Sequence, residues 1–386
     1  MDIDIKHIMK EHAYRNIPLD YDEAYNLGLY ALEGCKGNNE AQIQSIAALC
    51  ALHTKATYAF NRKNKKKRWR HEIPENSSQQ IAGVCASIFE NDIAKSESGF
   101  LRPKINHAMD NCGMGGDLIA TANVSTISAF IAAAANIPVL KHGSPANADS
   151  GRHGSSDFID LCGINTYASK KDVEDCLVAN KFGYTEALDT KYKLIHIQTH
   201  KIARMPHMND LIGPITNPLD PKLLDRRLLG INHLLRPKIV AGAYAILNEK
   251  KITNVKHALF VRGFVGPSGI DELSTCKEGS VIAELKNNEI MEYRLFPKDF
   301  GLKPAKPASI SPPKNMSKGD FSMKILRGEI TGPSLEMILA NAALLFYIEG
   351  KSDDLKECYL QAEETFSSGK AYEKMLNVKE SIPKPI

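Results

Sequence analysis

The chain has 386 residues, 43% of them hydrophobic and 24% charged, with a formal net charge of +4. This composition excludes a disordered or fibrous chain, and the length allows two domains or one large α/β domain with an appendage. So small a net charge implies no polyanionic partner by itself, and the most apolar window, Ile127 to Leu140, is broken by Asn136 and Pro138 and is too short to span a bilayer.

Met1 to His7 carries acids and no apolar run, so no signal peptide is expected. Residues 1–95 read as helices. Asp20 is placed to cap a helix running from Tyr21, whose apolar positions recur at three and four, and Gln42–Thr57 and Ser78–Glu90 repeat the pattern. The one strong charge run, Arg62 to Arg70 with Trp69 inside it, falls between the last two. From about Ala108 the texture changes to short apolar strands, glycine-rich turns and helices in alternation. Ser125–Ala135 is a small-residue helix, Pro138–Lys141 a buried strand, and Ser156–Leu161 a helix. His257–Arg262 is a further strand, and Ser280–Leu285 with Ile290–Leu295 forms a hairpin. Residues 302–317, with four prolines, form an extended connection. Ser334–Ile348, Asp354–Ser367 and a segment after Gly369 return to helix. Eight cysteines, at 35, 50, 85, 112, 162, 176, 276 and 358, show no CxxC spacing, which reads as reduced thiols in a cytoplasmic protein.

Four stretches carry chemistry. In Asn111-Cys-Gly-Met-Gly-Gly-Asp117, three glycines in four positions let backbone N–H groups approach an anion, and a carboxylate follows; a plain tight turn is the other reading. Asn123-Val-Ser-Thr126 puts small donors at a helix start, suited either to phosphate or to simple N-capping. Lys141-His-Gly opens a long polar loop that ends in Gly154-Ser-Ser-Asp157, after a buried strand, where loops often carry function. Asp271-Glu272 can share a hard cation or form a solvated turn.

These four in this order, with Gly213-Pro-Ile-Thr-Asn-Pro218 between the last two, resemble the anthranilate phosphoribosyltransferase family, within the glycosyltransferase family 3 and nucleoside phosphorylase superfamily. Asn341-Ala-Ala-Leu-Leu-Phe-Tyr347 and Ser368-Gly-Lys-Ala371 fit that family's closing helices, so the likeness runs from about residue 20 to 377. The resemblance implies an α/β fold: a large α/β domain with a mostly parallel central sheet (101–386) beside a smaller all-helical domain (1–100) joined by a helical segment near 186–218. It also implies a homodimer, Mg²⁺, and transfer of the phosphoribosyl group of 5-phosphoribosyl diphosphate (PRPP) to an aromatic amine, anthranilate by default, as in tryptophan biosynthesis. Carried over by position, Gly113, Gly115, Gly116, Asp117, Asn123, Ser125, Thr126, Lys141 and Ser155 would hold PRPP, with Lys141 and Asp117 catalytic. Ser125, Asp271 and Glu272 would serve the metal.

The acceptor side departs from the family. Ser144-Pro145 stands where the family has Asn-Arg, a two-residue insertion precedes Ser155, and Pro206 falls where an arginine grips the acceptor's carboxylate. Losing a bidentate guanidinium is not neutral: either Arg204 or Arg152 replaces it or the acceptor is not anthranilate, with His142, Gly143, Ser144 and His200 lining the acceptor pocket. The region 189–211 carries a faint likeness to pyrimidine nucleoside phosphorylases, which makes that activity an alternative. A second alternative is a non-catalytic nucleic-acid-binding relative using Arg62–Arg70. Such relatives have lost the Gly-Gly-Asp loop that this chain keeps, and the basic run reads rather as a solvated loop. His196, His200 and His207 read as pocket lining or surface rather than as a metal site.

Overall fold

A computed structural model describes residues 4–14, 17–56, 77–95, 99–115, 117, 119–143, 154–186, 190–202, 209–232 and 235–384. In chain order the elements begin with α1 (Ile5–Ile8), α2 (Tyr21–Gly34), α3 (Asn39–Ala56) and α4 (Ser77–Ile88). There follow β1 (Ala108–Gly113), α5 (Val124–Ala134), β2 (Val139–Gly143), α6 (Ser155–Leu161), α7 (Lys170–Asn180) and β3 (Phe182–Glu186). Next come α8 (Lys193–Ile202), α9 (Asn209–Ile215), β4 (Leu224–Gly230), α10 (Pro237–Glu249), β5 (His257–Val265), β6 (Ser268–Ile270), β7 (Ser280–Lys286) and β8 (Glu289–Leu295). The chain closes with α11 (Lys318–Leu326), α12 (Pro333–Glu349), α13 (Leu355–Ser367) and α14 (Lys370–Ser381).

The chain divides into two compact units: Met1–Gly99 with Leu188–Thr216 and Leu234–Thr253, and Phe100–Ala187 with Asn217–His233 and Asn254–Ile386. The first is helical. Asp20 caps α2 by accepting the Glu23 N–H at 2.9 Å while the Glu23 carboxylate accepts the Asp20 N–H at 3.0 Å, a reciprocal box that satisfies two otherwise orphaned donors. α2 buries Ala24, Leu27, Ala31 and Leu32, and α4 is buried from Gln80 to Ile88. α10 joins this unit by packing on α4, with Ser78 Oγ donating to the Ile239 carbonyl at 2.8 Å. Asp92 ties in the middle segment by accepting the N–H groups of Lys191 and Tyr192 at 3.2 and 2.8 Å.

The second unit is built on an eight-stranded sheet ordered β3-β2-β1-β4-β5-β7-β8, with β6 paired to β5. The five strands from β3 to β5 are parallel, while β7 and β8 turn back antiparallel. The hairpin turn falls on Asn287 and Asn288, both with positive φ, a conformation asparagine tolerates better than most residues. α12 is apolar and buried on nearly every side, as a helix in a core must be. α5 packs against it, and Ser128 Oγ donates to the Ile338 carbonyl at 3.0 Å. The chain leaves β1 in one direction through β2 and β3, then returns to β4 on the other side of β1. The carboxyl ends of β1 and β4 therefore flank a topological switch point, where open α/β sheets hold ligands.

Away from that edge, Glu284 on β7 accepts hydrogen bonds from His257 Nε2 (2.7 Å), Tyr293 Oη (2.9 Å) and Tyr347 Oη (3.0 Å), joining β5, β8 and α12. Burial raises this carboxyl, but the three hydrogen bonds more than offset it and hold the group below the usual carboxylate range. A folded-state pKa below the unfolded one gives stability that is fully present above about pH 4.3 and is lost as pH falls through the folded value. Glu284→Gln is expected to destabilise the fold by about 2–3 kcal/mol at pH 7. Urea denaturation should show the gap from the parent narrowing below pH 4; a constant gap down to pH 3 would contradict the assignment.

Candidate active site

Three adjacent parallel strands, β2, β1 and β4, each end on a glycine: Gly143, Gly113 and Gly230. The reason is steric. A Cβ on Gly230 would lie 1.6 Å from the Asp271 carbonyl oxygen, one on Gly113 2.2 Å from Asp271 Oδ2, and one on Gly143 2.6 Å from Ser155 Cβ. Asp271, just beyond β6, is thus seated directly on the ends of β1 and β4, and Ser155, the first residue of α6, on the end of β2.

The glycine-rich turn closes over Asp271. Gly115, at φ +74°, donates its N–H to Asp271 Oδ2 at 2.6 Å, and Asp271 donates its own N–H to Asp117 Oδ1 at 3.0 Å. The amide that sequence reasoning assigns to a phosphate oxygen therefore holds a carboxylate, an anion of similar demand. Glu272 accepts from Thr121 Oγ1 at 2.9 Å. Carboxylate oxygens of Asp117, Asp271 and Glu272 all lie within 4.8 Å of one another. Burial, then repulsion from Asp271, pushes the Glu272 carboxyl up to about 8, with Lys318 and Thr121 working against the rise. The same two causes push Asp117 well above the carboxylate range. Three oxygen donors that resist sharing their negative charge fit a hard divalent cation, which would remove the repulsion and replace the missing solvation.

Lys141 is fully buried, and its ammonium donates to the Asn111 carbonyl at 2.9 Å and to Ser125 Oγ at 3.1 Å. Burial lowers its pKa, while Cys112, Asp110, Asp271 and Glu272 pull it back. Asn111 Nδ2 in turn donates to the Ser125 carbonyl at 2.8 Å, so the start of α5 is held from both sides. The N-cap of α5 is Asn123, and its side chain makes no capping bond. Instead its Nδ2 donates to the Gly154 carbonyl at 3.1 Å, while its N–H and Oδ1 meet Ser322 Oγ at 2.8 and 3.0 Å. Simple capping by Ser125 or Thr126 is therefore not their role. The Thr126 hydroxyl is buried and finds no partner among the described residues.

His142 and Gly143 finish β2, with the His142 ring buried beneath the strand ends. Gly116, Ser144, Arg152 and Arg204 lie outside the described residues, as do the basic run 62–70, Pro145, Pro206 and His207; His200 sits in α8, its side chain also outside them. A second group of ligand atoms, from Asp110, Cys112 and His142, is also compact. Its carboxylate is already paired with the buried guanidinium of Arg227, a positive charge where a cation would have to sit.

Sequence reasoning missed Thr121, Ser322 and Asp110. Thr121 and Ser322 lie 151 and 199 residues from the groups they bind, beyond any local pattern. Asp110 had a signal, a carboxylate inside a buried strand, since such a group must be paired.

The family model described as glycosyl transferase family, a/b domain, matches residues 105–372. An anthranilate phosphoribosyltransferase from Chromobacterium violaceum is 33% identical over 270 residues, covering 70% of this chain and 74% of that one. One from Clostridium kluyveri is 34% identical over 302 residues, covering 77% and 83%. Among solved structures, the anthranilate phosphoribosyltransferase of Thermus thermophilus matches with a TM-score of 0.75 at 24% identity, covering 97% of this chain and 98% of that one. The Saccharomyces cerevisiae enzyme in complex with PRPP and Mg matches with a TM-score of 0.75 at 18% identity, covering 99% and 98%. With a parallel sheet whose switch point carries the glycine loop and the carboxylates, the chain belongs to the anthranilate phosphoribosyltransferase family of glycosyl transferases.

Proposed function

We propose that the chain is a Mg²⁺-dependent phosphoribosyltransferase that moves the 5-phosphoribosyl group of PRPP onto the amine of anthranilate, a step of tryptophan biosynthesis. The observation that carries this reading is the anion-binding amide of Gly115 packed against three crowded carboxylates at the switch point. The relatives named above act, by their names, as anthranilate phosphoribosyltransferases. In the reaction the amine nitrogen bonds to C1 of the ribose, the C1–oxygen bond to diphosphate breaks, and the amine releases a proton. Asp117, Asp271 and Glu272 would hold Mg²⁺, which would supply positive charge to the diphosphate oxygens. Gly113, Gly115 and Gly116 give the donor a surface without side chains. Ser125, Thr126, Asn123 and Ser155 present polar groups to its phosphates. Lys141 acts from below by fixing Ser125 and adding a buried positive charge. Positioning and electrostatics then supply most of the rate, and no strong base is needed. Ser125 as a metal ligand, and His142, Gly143, Ser144, Arg152, His200 and Arg204 at the acceptor, belong to this same proposal.

A homodimer joined through the helical unit is supported by the exposed Ile43 of α3 and Leu194 and Ile197 of α8. A cytoplasmic setting is supported by eight cysteines held as thiols. No helix among the described residues is long and apolar enough to cross a membrane.

Calorimetry with PRPP and Mg²⁺, followed by a product assay with anthranilate, tests the proposal. Mg²⁺-dependent binding and phosphoribosylanthranilate are expected; phosphorolysis of nucleosides with indifference to PRPP would overturn it. The carboxylates add a pH signature. Mg²⁺ must displace the proton of Glu272, whose carboxyl is pushed up to about 8, so its affinity should climb by about tenfold per pH unit from pH 6 and level off above 8. Titrations at pH 6, 7, 8 and 9 check this, and a flat profile would remove the raised carboxylates from the metal site.

A further inference from the structure

Outside the phosphoribosyl site, the second unit carries a groove of about 490 Å³ between α12 and α13, a volume suited to a small molecule. Helix spacing builds it. α13 turns Lys356, Tyr359, Leu360 and Glu363 toward the groove, at intervals of three and four residues that keep them on one face. α12 adds Leu335, Glu336 and Leu339 from its first turns, and Phe300 comes from the segment after β8. Leu335, Leu339 and Phe300 are buried and give an apolar floor, while Leu360 stands 52% exposed at the rim. Tyr359 is only 5% exposed, yet among the described residues its hydroxyl has no hydrogen-bond partner. Burial and then the charges of Glu363 and Glu336 raise that hydroxyl above its ordinary range, and no positive charge opposes them. The phenol oxygen therefore sits with both carboxylates, neither of which is in a salt bridge among the described residues. A buried hydroxyl without a partner is costly, and two carboxylates beside it add to the cost.

We propose that this groove binds a small organic cation, an ammonium carried on an apolar body. The ammonium N–H groups donate to Glu336, Glu363 and the Tyr359 hydroxyl, and the body covers Leu335, Leu339 and Phe300. Charge decides between classes of ligand. Two carboxylates act on the phenol, whereas Lys356, the one cation among the described lining residues, is two helical turns from Glu363, about 10 Å along the axis. Its stem lies on Gly301, where an added Cβ would meet Lys356 Cε at 3.2 Å. An anion would meet uncompensated repulsion. A neutral alcohol would satisfy the hydroxyl but leave both carboxylates without a counter-charge. A bare metal ion would take the carboxylates and leave the apolar floor in water. An amine with an apolar body answers the floor, the hydroxyl and the charge together. The proposal stands apart from the transfer reaction, since none of the lining residues belongs to the phosphate, metal or acceptor groups described above.

Calorimetry of the whole chain at pH 7 with phenethylamine tests this, with phenethyl alcohol and phenylacetate as its neutral and anionic counterparts. Phenethylamine is expected to bind, and each counterpart at least about tenfold more weakly. Glu336→Gln/Glu363→Gln should weaken the amine about tenfold, and Tyr359→Phe about threefold. Both carboxylates reach solvent, so the double variant is expected to fold, and thermal denaturation checks it. In the parent protein with ¹³C-labelled tyrosine, the Tyr359 signal, assigned by its loss in Tyr359→Phe, should shift as phenethylamine is added. No binding of phenethylamine at millimolar concentration, binding that the double variant leaves intact, or an unmoved Tyr359 signal overturns the proposal. A sedimentation coefficient that falls in Leu360→Glu also overturns it, because the groove would then be covered by a second copy of the chain.

Discussion

Asp271→Asn is expected to lower kcat/KM for PRPP by about 10²–10³-fold while raising the melting temperature of the metal-free protein by about 1–3 °C. Both effects have one cause. Asparagine keeps the shape of the side chain and can still accept the Gly115 N–H, which reaches Asp271 Oδ2 at 2.6 Å. It removes one of three negative charges crowded within 4.8 Å. Without metal that charge is a burden, since repulsion from Asp271 helps push Glu272 up to about 8 and Asp117 well above its ordinary value. With metal and diphosphate present, the same charge would help to hold the cation. Steady-state kinetics and thermal denaturation of the two proteins check both halves. Unchanged kinetics would remove Asp271 from the metal site, and a lowered melting temperature would mean that the cluster is not under strain.

The second large effect is expected from a methyl group. Gly230→Ala would place Cβ 1.6 Å from the Asp271 carbonyl oxygen and 2.6 Å from its carbonyl carbon. Both are backbone atoms, so no rotamer change relieves the clash. β4 cannot retreat, because it is hydrogen-bonded to β1 on one side and β5 on the other. The Asp271 segment must move instead, and with it the carboxylates and the closed glycine turn. A loss of about 2–4 kcal/mol in stability, together with at least about 10²-fold in activity, is expected. Gly113→Ala is the informative comparison, since its Cβ presses chiefly on the Asp271 side chain, at 2.2 Å from Oδ2 and 2.8 Å from Cγ, with the backbone oxygen farther off at 3.4 Å. That carboxylate can swing aside, so Gly113→Ala should cost less stability yet still weaken Mg²⁺ binding. Denaturant titration and Mg²⁺ calorimetry on the two variants separate the outcomes, and Gly230→Ala with normal Mg²⁺ affinity would refute the seating of Asp271 on the strand ends.

Much of the site is legible in the chain because its donor half is built from short contiguous stretches. Gly113 to Asp117 is a turn whose glycines can be read from chemistry alone, and Asn123 to Thr126 announces a helix start. Their local geometry follows from neighbours in sequence. The N-terminal helices are legible for a similar reason: apolar spacing shows in α2, and Asp20 with Glu23 forms the box that its cap position implies. The hairpin is legible because Asn287 and Asn288 suit the positive φ its turn requires. By contrast, β3 and β4 read poorly. β4 carries Asp225, Arg226 and Arg227 in succession and β3 ends on the buried Glu186, and charges in such places break the pattern that marks a strand.

The sequence by itself determined the family and marked the residues proposed to hold a phosphate and a hard cation, because those depend on residue type and near spacing. Only the tertiary structure decided how they meet. It placed Asp271 against Gly113 and Gly230, gave α10 to the helical unit through its packing on α4, and gathered Asp110, His142, Asn217 and Arg227 into one buried network. It also showed that Lys141 donates to Ser125 and that Asn123 spans to Gly154 rather than capping its helix. The physical reason is that strand register and close packing, which have no local signature, fix which distant side chains share a hydrogen bond.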